Sequence, residues 1–267
     1  MADLEFFLDP VCPWAWITSR WITEVKQLRH YEVQWRFICL KMINEHRTDD
    51  WYTPEYRAGH MAGLYGLRVA DQVRIDFGNE QVSALYTVLG EAIHHDKRRP
   101  EIIDDPVTAM EGFLKAADLP PGLAQAALDE SHDAYIQSET ALAFERTGKD
   151  VGTPIITFHP GQDDEASFFG PVIAQIPRGQ AALKLWDAIE IVATTSGMRR
   201  SFWDVGRVVA RAQRATVALR ESREAPLTVM RGSDCNARAV MWPRSGWHRR
   251  GPTRCRRPRP PDGRCAR

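Results

Sequence analysis

Apolar and polar positions fall in two different periods along this chain, and each change of period marks a new element. Leu4-Glu5-Phe6-Phe7-Leu8 is a short apolar run closed by Asp9-Pro10, which predicts a buried first strand. From Pro13 the period becomes helical: Trp14, Ile17, Trp21, Val25 and Leu28 recur at threes and fours and predict one buried helix face. Tyr31, Val33, Trp35, Phe37 and Cys39 then alternate over a short stretch, the mark of a strand with one apolar face. Strand, helix and strand within about 40 residues make a βαβ unit, whose strands run parallel.

Strand periodicity then stops for about 110 residues, a stretch in which three- and four-residue spacing predicts helices instead. They cover Glu55 to Ala70, Glu80 to His95, Ile102 to Ala117, Gly122 to Asp129 and Ala134 to Arg146. Strand character returns after Val151-Gly152-Thr153-Pro154: Ile155 to His159, a polar turn, and Ala166 to Phe169 form a hairpin. A final helix from Arg178 to Thr194 buries Leu185, Ile189 and Val192, with Trp186 beside them. The pattern is an α/β core made of residues 1–40 and 151–200, interrupted by an all-helical insertion at 41–150.

Charge changes the picture at the C-terminal end. From Arg199 onward there are 18 arginines, no lysine and five acids, a net +13, and the rest of the chain carries −13. Residues 201–267 read as a basic tail, disordered after about 224, because Arg, Pro and Gly without period bury too little to offset ordering entropy. Three readings stay open for it: a nucleic-acid-binding arm, a dispensable tail, or the product of a shifted frame in a GC-rich gene. Asp204 to Leu219 carries a weak helical stripe. The N-terminus has no basic segment before an apolar one, and no run is long enough to span a bilayer, so a cytoplasmic protein with free thiols is expected.

Cys12 carries the candidate chemistry. It lies where the first strand hands over to a helix, and Pro13 suits the first helical turn because its missing N–H has no partner there. Unpaired N–H groups and the helix dipole at such a junction favour a thiolate and lower a cysteine pKa to roughly 3.5–7.5. Trp14 and Trp16 are placed to wall the thiol, with core packing as the competing role. Cys39 falls on the apolar strand face and reads as core, while Cys235, Cys255 and Cys265 lack metal-type spacing. His94-His95-Asp96 stands at a helix end, where cations are favoured without any ligand, so no metal is expected. Gly-x-Ser-x-Gly, Walker and Gly-x-Gly-x-x-Gly motifs are absent from the sequence.

The run Phe7 to Trp21, with Cys12-Pro13-Trp14-Ala15 at its centre, resembles the active-site start of the DsbA-like branch of the thioredoxin superfamily. Within that branch it is most similar to the mycothiol-dependent nitroreductases, as are Val151-Gly152-Thr153-Pro154 and Phe168-Phe169-Gly170-Pro171-Val172. The resemblance covers about residues 3 to 205. It implies a thioredoxin fold, mycothiol as co-substrate, Pro154 as a cis-proline opposite Cys12, and Thr153 backbone pairing with a bound thiol. It also makes the Phe169-Gly170-Pro171 corner a thiol-binding element, where Gly170 permits close approach and a following helix start supplies N–H groups; a plain tight connection is the alternative.

Ala15 departs from the pattern, standing where the family often has a second cysteine. The expected chemistry is therefore a monothiol cycle: disulfide or nitro-compound reduction through Cys12 and a low-molecular-weight thiol. The competing classes are a thiol-cofactor transferase or isomerase of the kappa-class type, and a non-catalytic thioredoxin-like binding module. Partners expected are a small thiol and an electrophile or mixed disulfide, with a homodimer allowed for, and neither nucleic acid nor membrane.

Overall fold

The computed structural model describes residues 2–148 and 151–195. The basic tail and the stripe at Asp204–Leu219 lie outside the described residues. Four strands, β1 (Leu4–Leu8), β2 (Val33–Phe37), β3 (Ile155–Phe158) and β4 (Ala166–Phe169), form one sheet in the order β2-β1-β3-β4. β1 and β2 are parallel, with Phe6 opposite Trp35, and are joined by helix α1 (Pro13–Arg29). β3 runs antiparallel to β1 and forms a hairpin with β4, which leads to helix α8 (Gly179–Thr194). This is the thioredoxin fold, and the helices between β2 and β3 are its insertion.

Burial follows strand parity. Phe6, Trp35, Ile156 and Phe158 join Trp21 of α1 and Trp186 of α8 in one cluster, and Trp21 Nε1–H donates to Ala182 O at 3.0 Å, tying the two helices. Phe7 and Ile155 point the other way, into a cluster with Ala143 of helix α7 (Asp133–Thr147). On that side Arg36 bridges Glu5 and Glu139, each at 2.7 Å.

The insertion begins with the single turn α2 (Leu40–Ile43), which the periodicity does not predict because four residues are too few to display it. Helix α3 (Pro54–Phe77) follows, capped by the Thr53 hydroxyl, which accepts from Tyr56 N–H at 3.4 Å. Helix α4 (Asn79–Gly90) runs straight into a π-helical turn, Glu91–His95. The expected helix Ile102 to Ala117 is two, α5 (Arg99–Asp104) and α6 (Pro106–Ala116), because Pro106 cannot continue the ladder and Asp105 caps a new start at Thr108 N–H. Gly122–Asp129 is a 3-10 helix, Pro121–Leu128, before α7.

Three expectations about faces need correction. In α1 the buried side is set by Ala15, Trp16, Trp21, Ile22 and Val25, and Leu28 is 44% exposed, since the insertion covers the first two turns from a side the stripe ignores. Cys39 is not on the β2 face; it caps α2, two residues past the strand. In α8 the buried residues are Ala182, Trp186 and Ala193, with Leu185, Ile189 and Val192 only half-buried.

Candidate active site

The turn between β1 and α1 is organised by Asp9. Its Oδ1 accepts Val11 N–H at 3.0 Å and its Oδ2 accepts Leu40 N–H at 2.7 Å, so one carboxylate fixes the starts of α1 and α2 together. The group is fully buried, and desolvation pushes its pKa up to about 7 despite those two donors. A Cβ added at Gly63 of α3 would lie 2.6 Å from Asp9 Oδ1, so the glycine is what lets the insertion close over this turn.

Cys12 is the N-cap of α1. Its backbone is extended (φ −82°, ψ 111°), and its Sγ accepts Ala15 N–H at 3.4 Å. Pro13 is exposed, Trp14 half-buried and Ala15 fully buried. Across the gap, the Thr153–Pro154 bond is cis, and the Cys12 thiol donates to Thr153 O at 3.5 Å. The Thr153 hydroxyl in turn donates to Phe7 O at 3.0 Å, holding the loop against β1. Gly170 N–H donates to Pro154 O at 2.9 Å with φ +111°, a conformation that calls for glycine. Gly170–Pro171 is also cis, and Pro171 O accepts the Thr18 hydroxyl of α1 at 2.9 Å. Cys12, Thr153, Pro154, Gly170 and Pro171 therefore share one corner.

Phe169 does not belong to that corner: its ring packs with Phe7, Ile155 and Ala143 on the other side of the sheet, because alternate residues of β4 face opposite ways. Nor does a helix begin after Val172. The next one starts at Gly179, so the expected helical N–H donors are not at this corner.

The thiolate expectation also fails for the resting site. Burial pushes the Cys12 thiol up to about 12, with the charge of Asp9 adding to it and the Ala15 N–H only partly opposing it. Cys12 is 5% exposed, and at that burial desolvation outweighs one helix terminus.

Trp16 faces the insertion rather than the thiol corner. Its indole stacks on His94 and meets His95 and Tyr86 edge-on, its N–H donates to His95 Nε2 at 3.3 Å, and Arg20 lies 4.2 Å over the ring. A Cβ at Gly90 would come within 2.0 Å of that ring. His94 Nε2–H donates to Pro10 O at 2.9 Å, and burial holds the ring neutral, with its pKa down to about 4. Gly63, Tyr86, Gly90 and His94 escape the sequence reading as parts of this region, and Asp9 is read only as part of the motif, not as the carboxylate that ties two helix starts. Only Asp9, beside Pro10 in the same turn, carries a local signal; His94 reaches the turn from 84 positions away. Among the described residues no cluster of His, Cys, Asp and Glu suits a metal ion, and no helix is long and apolar enough to cross a membrane.

Comparison with known proteins adds three findings. The profile of the Rv2466c-like family, described as mycothiol-dependent nitroreductase Rv2466c, matches residues 11–207. The Rv2286c protein of Mycobacterium tuberculosis (strain ATCC 25618 / H37Rv), itself described as uncharacterized, is 26% identical over 196 residues, which span 71% of this chain and 76% of that protein. A solved structure of a candidate protein disulfide isomerase from Nitrosomonas europaea aligns with a TM-score of 0.48 at 13% identity, over 69% of this chain and 95% of that one.

Proposed function

Because the chain belongs to the Rv2466c-like family of mycothiol-dependent nitroreductases, and so to the thiol-dependent oxidoreductases, we propose that Cys12 is a monothiol redox centre served by mycothiol in the cytoplasm. The observation that carries the reading is Cys12 Sγ at the head of α1, 3.5 Å from Thr153 O and beside the cis Thr153–Pro154 bond. A ligand lying extended along Thr153 brings its sulfur to Cys12, with backbone pairing as the source of grip. Gly170 and Pro171 bound the same corner and would contact the thiol ligand; Pro13 and Trp14 form its rim.

The cycle uses one protein sulfur. Cys12 thiolate attacks the mycothiol sulfur of a mixed disulfide; the S–S bond breaks and the other sulfur leaves as a thiolate that takes up a proton. A second mycothiol then attacks the Cys12-bound mycothiol, releasing oxidised mycothiol and returning the Cys12 thiolate. With a nitro compound as acceptor, two thiols give two electrons and two protons, yielding a nitroso product, water and one disulfide. Ala15 leaves no second thiol one turn along α1, so resolution comes from free mycothiol. The resting thiol is protonated toward Thr153 O, so attack requires loss of that proton, and the rate rises with pH through neutrality.

The test is intact mass after incubation with oxidised mycothiol, beside oxidised glutathione. One mycothiol adduct mapped to Cys12 supports the reading; no adduct at any pH up to 9 sinks it. A second reading is favoured by the elevated Cys12 pKa: a protonated thiol at a helix start can hydrogen-bond a bound cofactor thiolate, as a thiol-dependent transferase or isomerase requires. Mycothiol bound without a covalent adduct, and returned unchanged after turnover, selects that class.

A further inference from the structure

A cleft of about 600 Å³ opens beside the thiol turn, floored by Val11 and Pro13 on either side of Cys12 and walled by Ile93, Pro100 and Ile103 of the insertion. That volume is within the range of small-molecule sites. Its lining carries two cations, Lys97 and Arg99, and two carboxylates, Glu55 and Asp104. Lys97 Nζ is engaged, donating to His94 O at 2.7 Å. Glu55 also lines the cleft, but its carboxylate is held at the start of α3 by Thr53 and a backbone N–H. Asp104 lies on the wall and makes no ion pair with either cation among the described residues. Arg99 is left as a guanidinium with no hydrogen-bond or ion-pair partner among the described residues. It lies against α3 at Gly59, where an added Cβ would be 3.2 Å from a guanidinium nitrogen. His60 and His94 are both held neutral by burial, so the cations of this region are Arg99 and the already engaged Lys97.

We propose that this cleft binds the second substrate, an apolar electrophile bearing a carboxylate, and that Arg99 is the residue that fixes the carboxylate while the body lies on Val11 and Pro13, the chain neighbours of the buried Cys12. A planar guanidinium matches a planar carboxylate in two hydrogen bonds. A doubly charged phosphate is disfavoured by Glu55 and Asp104 in the same lining. The word substrate rests on the redox reading; the binding site does not.

The experiment measures equilibrium dialysis of para-nitrobenzoate and its neutral counterpart para-nitrobenzamide against the full chain at low salt. The acid should bind about ten-fold more tightly than the amide, the scale of one charge-assisted hydrogen bond. Arg99→Gln should bring the two to parity and Arg99→Lys should keep part of the preference. The bound acid should also slow alkylation of Cys12 by iodoacetamide at pH 9. Parity in the unaltered chain, or an undiminished preference in Arg99→Gln, overturns the proposal. Mycothiol adduct formation, followed by mass in the same samples, separates the two ideas. An adduct without acid preference removes the cleft assignment alone, and an acid preference without any adduct removes the redox reading alone.

Discussion

Cys12 and Cys39 occupy matching places at the ends of two parallel strands. Each caps a helix from an extended backbone, Cys12 at φ −82° and Cys39 at φ −100°. Each thiol is pushed up to about 12, first by burial and further by the charge of Asp9, whose two oxygens serve both turns. Titration alone would not tell them apart. The neighbouring chain does. β1 is central, and its other neighbour brings the cis Thr153–Pro154 bond to Cys12; β2 is the sheet edge, where α7 covers Cys39 and Thr140 Oγ1 accepts its N–H at 3.0 Å. Cys12 also opens a helix of 17 residues and receives Ala15 N–H, whereas the four-residue α2 gives Cys39 no side-chain cap. Position in the sheet, more than the thiol's own surroundings, separates the candidate site at Cys12 from Cys39.

The comparison breaks most completely at the sulfur itself. Cys12→Ser should abolish the mycothiol adduct while Cys39→Ser leaves its rate within about two-fold, since a fully buried thiol offers no attack path; intact mass reads both. Ala15→Cys restores a second thiol whose backbone N–H is already 3.4 Å from Cys12 Sγ. After oxidation that variant should lose two hydrogens in mass as an internal disulfide, while Cys39 remains free. Gly90→Ala should cost about 1–3 kcal/mol by overpacking Trp16, read from denaturant midpoints, and should perturb the turn of Cys12 without touching that of Cys39.

Asp9→Asn sharpens the contrast more gently. It removes the charge that raises both thiols and should speed Cys12 alkylation several-fold near pH 8, leaving Cys39 shielded. It also changes the acid side of the stability curve. His60 and His94 stay neutral to about pH 4 in the folded chain, whereas the unfolded chain protonates them near 6.5, so stability falls as pH drops through that window. Asp9 opposes this: its folded pKa of about 7 lies above the ordinary 3.8, so the folded chain holds an extra proton between those values and its contribution is lost as pH rises. Removing Asp9 should therefore steepen the loss between pH 6.5 and 4 by about one proton; an unchanged slope in denaturant titrations would refute the buried acid.

The strands and the hairpin were legible because two-residue periodicity is local and each run is short and apolar. Cys12, Thr153 and Pro154 were legible because turn chemistry and resemblance converge on them. What stayed hidden is set by partners remote in sequence. Trp16 and Leu28 exchange burial because the insertion, not the sheet, covers the first turns of α1. The thiol's elevated pKa depends on how deeply that insertion buries it, which no spacing around Cys12 reports. Phe169 misled because strand parity sends its ring to α7, and the helix start expected beyond Pro171 is absent because seven residues of non-helical chain precede Gly179.

The flat seat of Trp16 on Gly90 has a consequence for engineering. The helix that carries Cys12 is moulded to the insertion most tightly where Trp16 meets Gly90, so the insertion is not a detachable module. Grafting it onto another thioredoxin frame transfers a cleft, but that cleft seats beside the cysteine turn only if the recipient also supplies an aromatic ring four residues past the matching cysteine. Trp16 and Gly90 are the mating parts of that joint, and chimeras should exchange them as a pair.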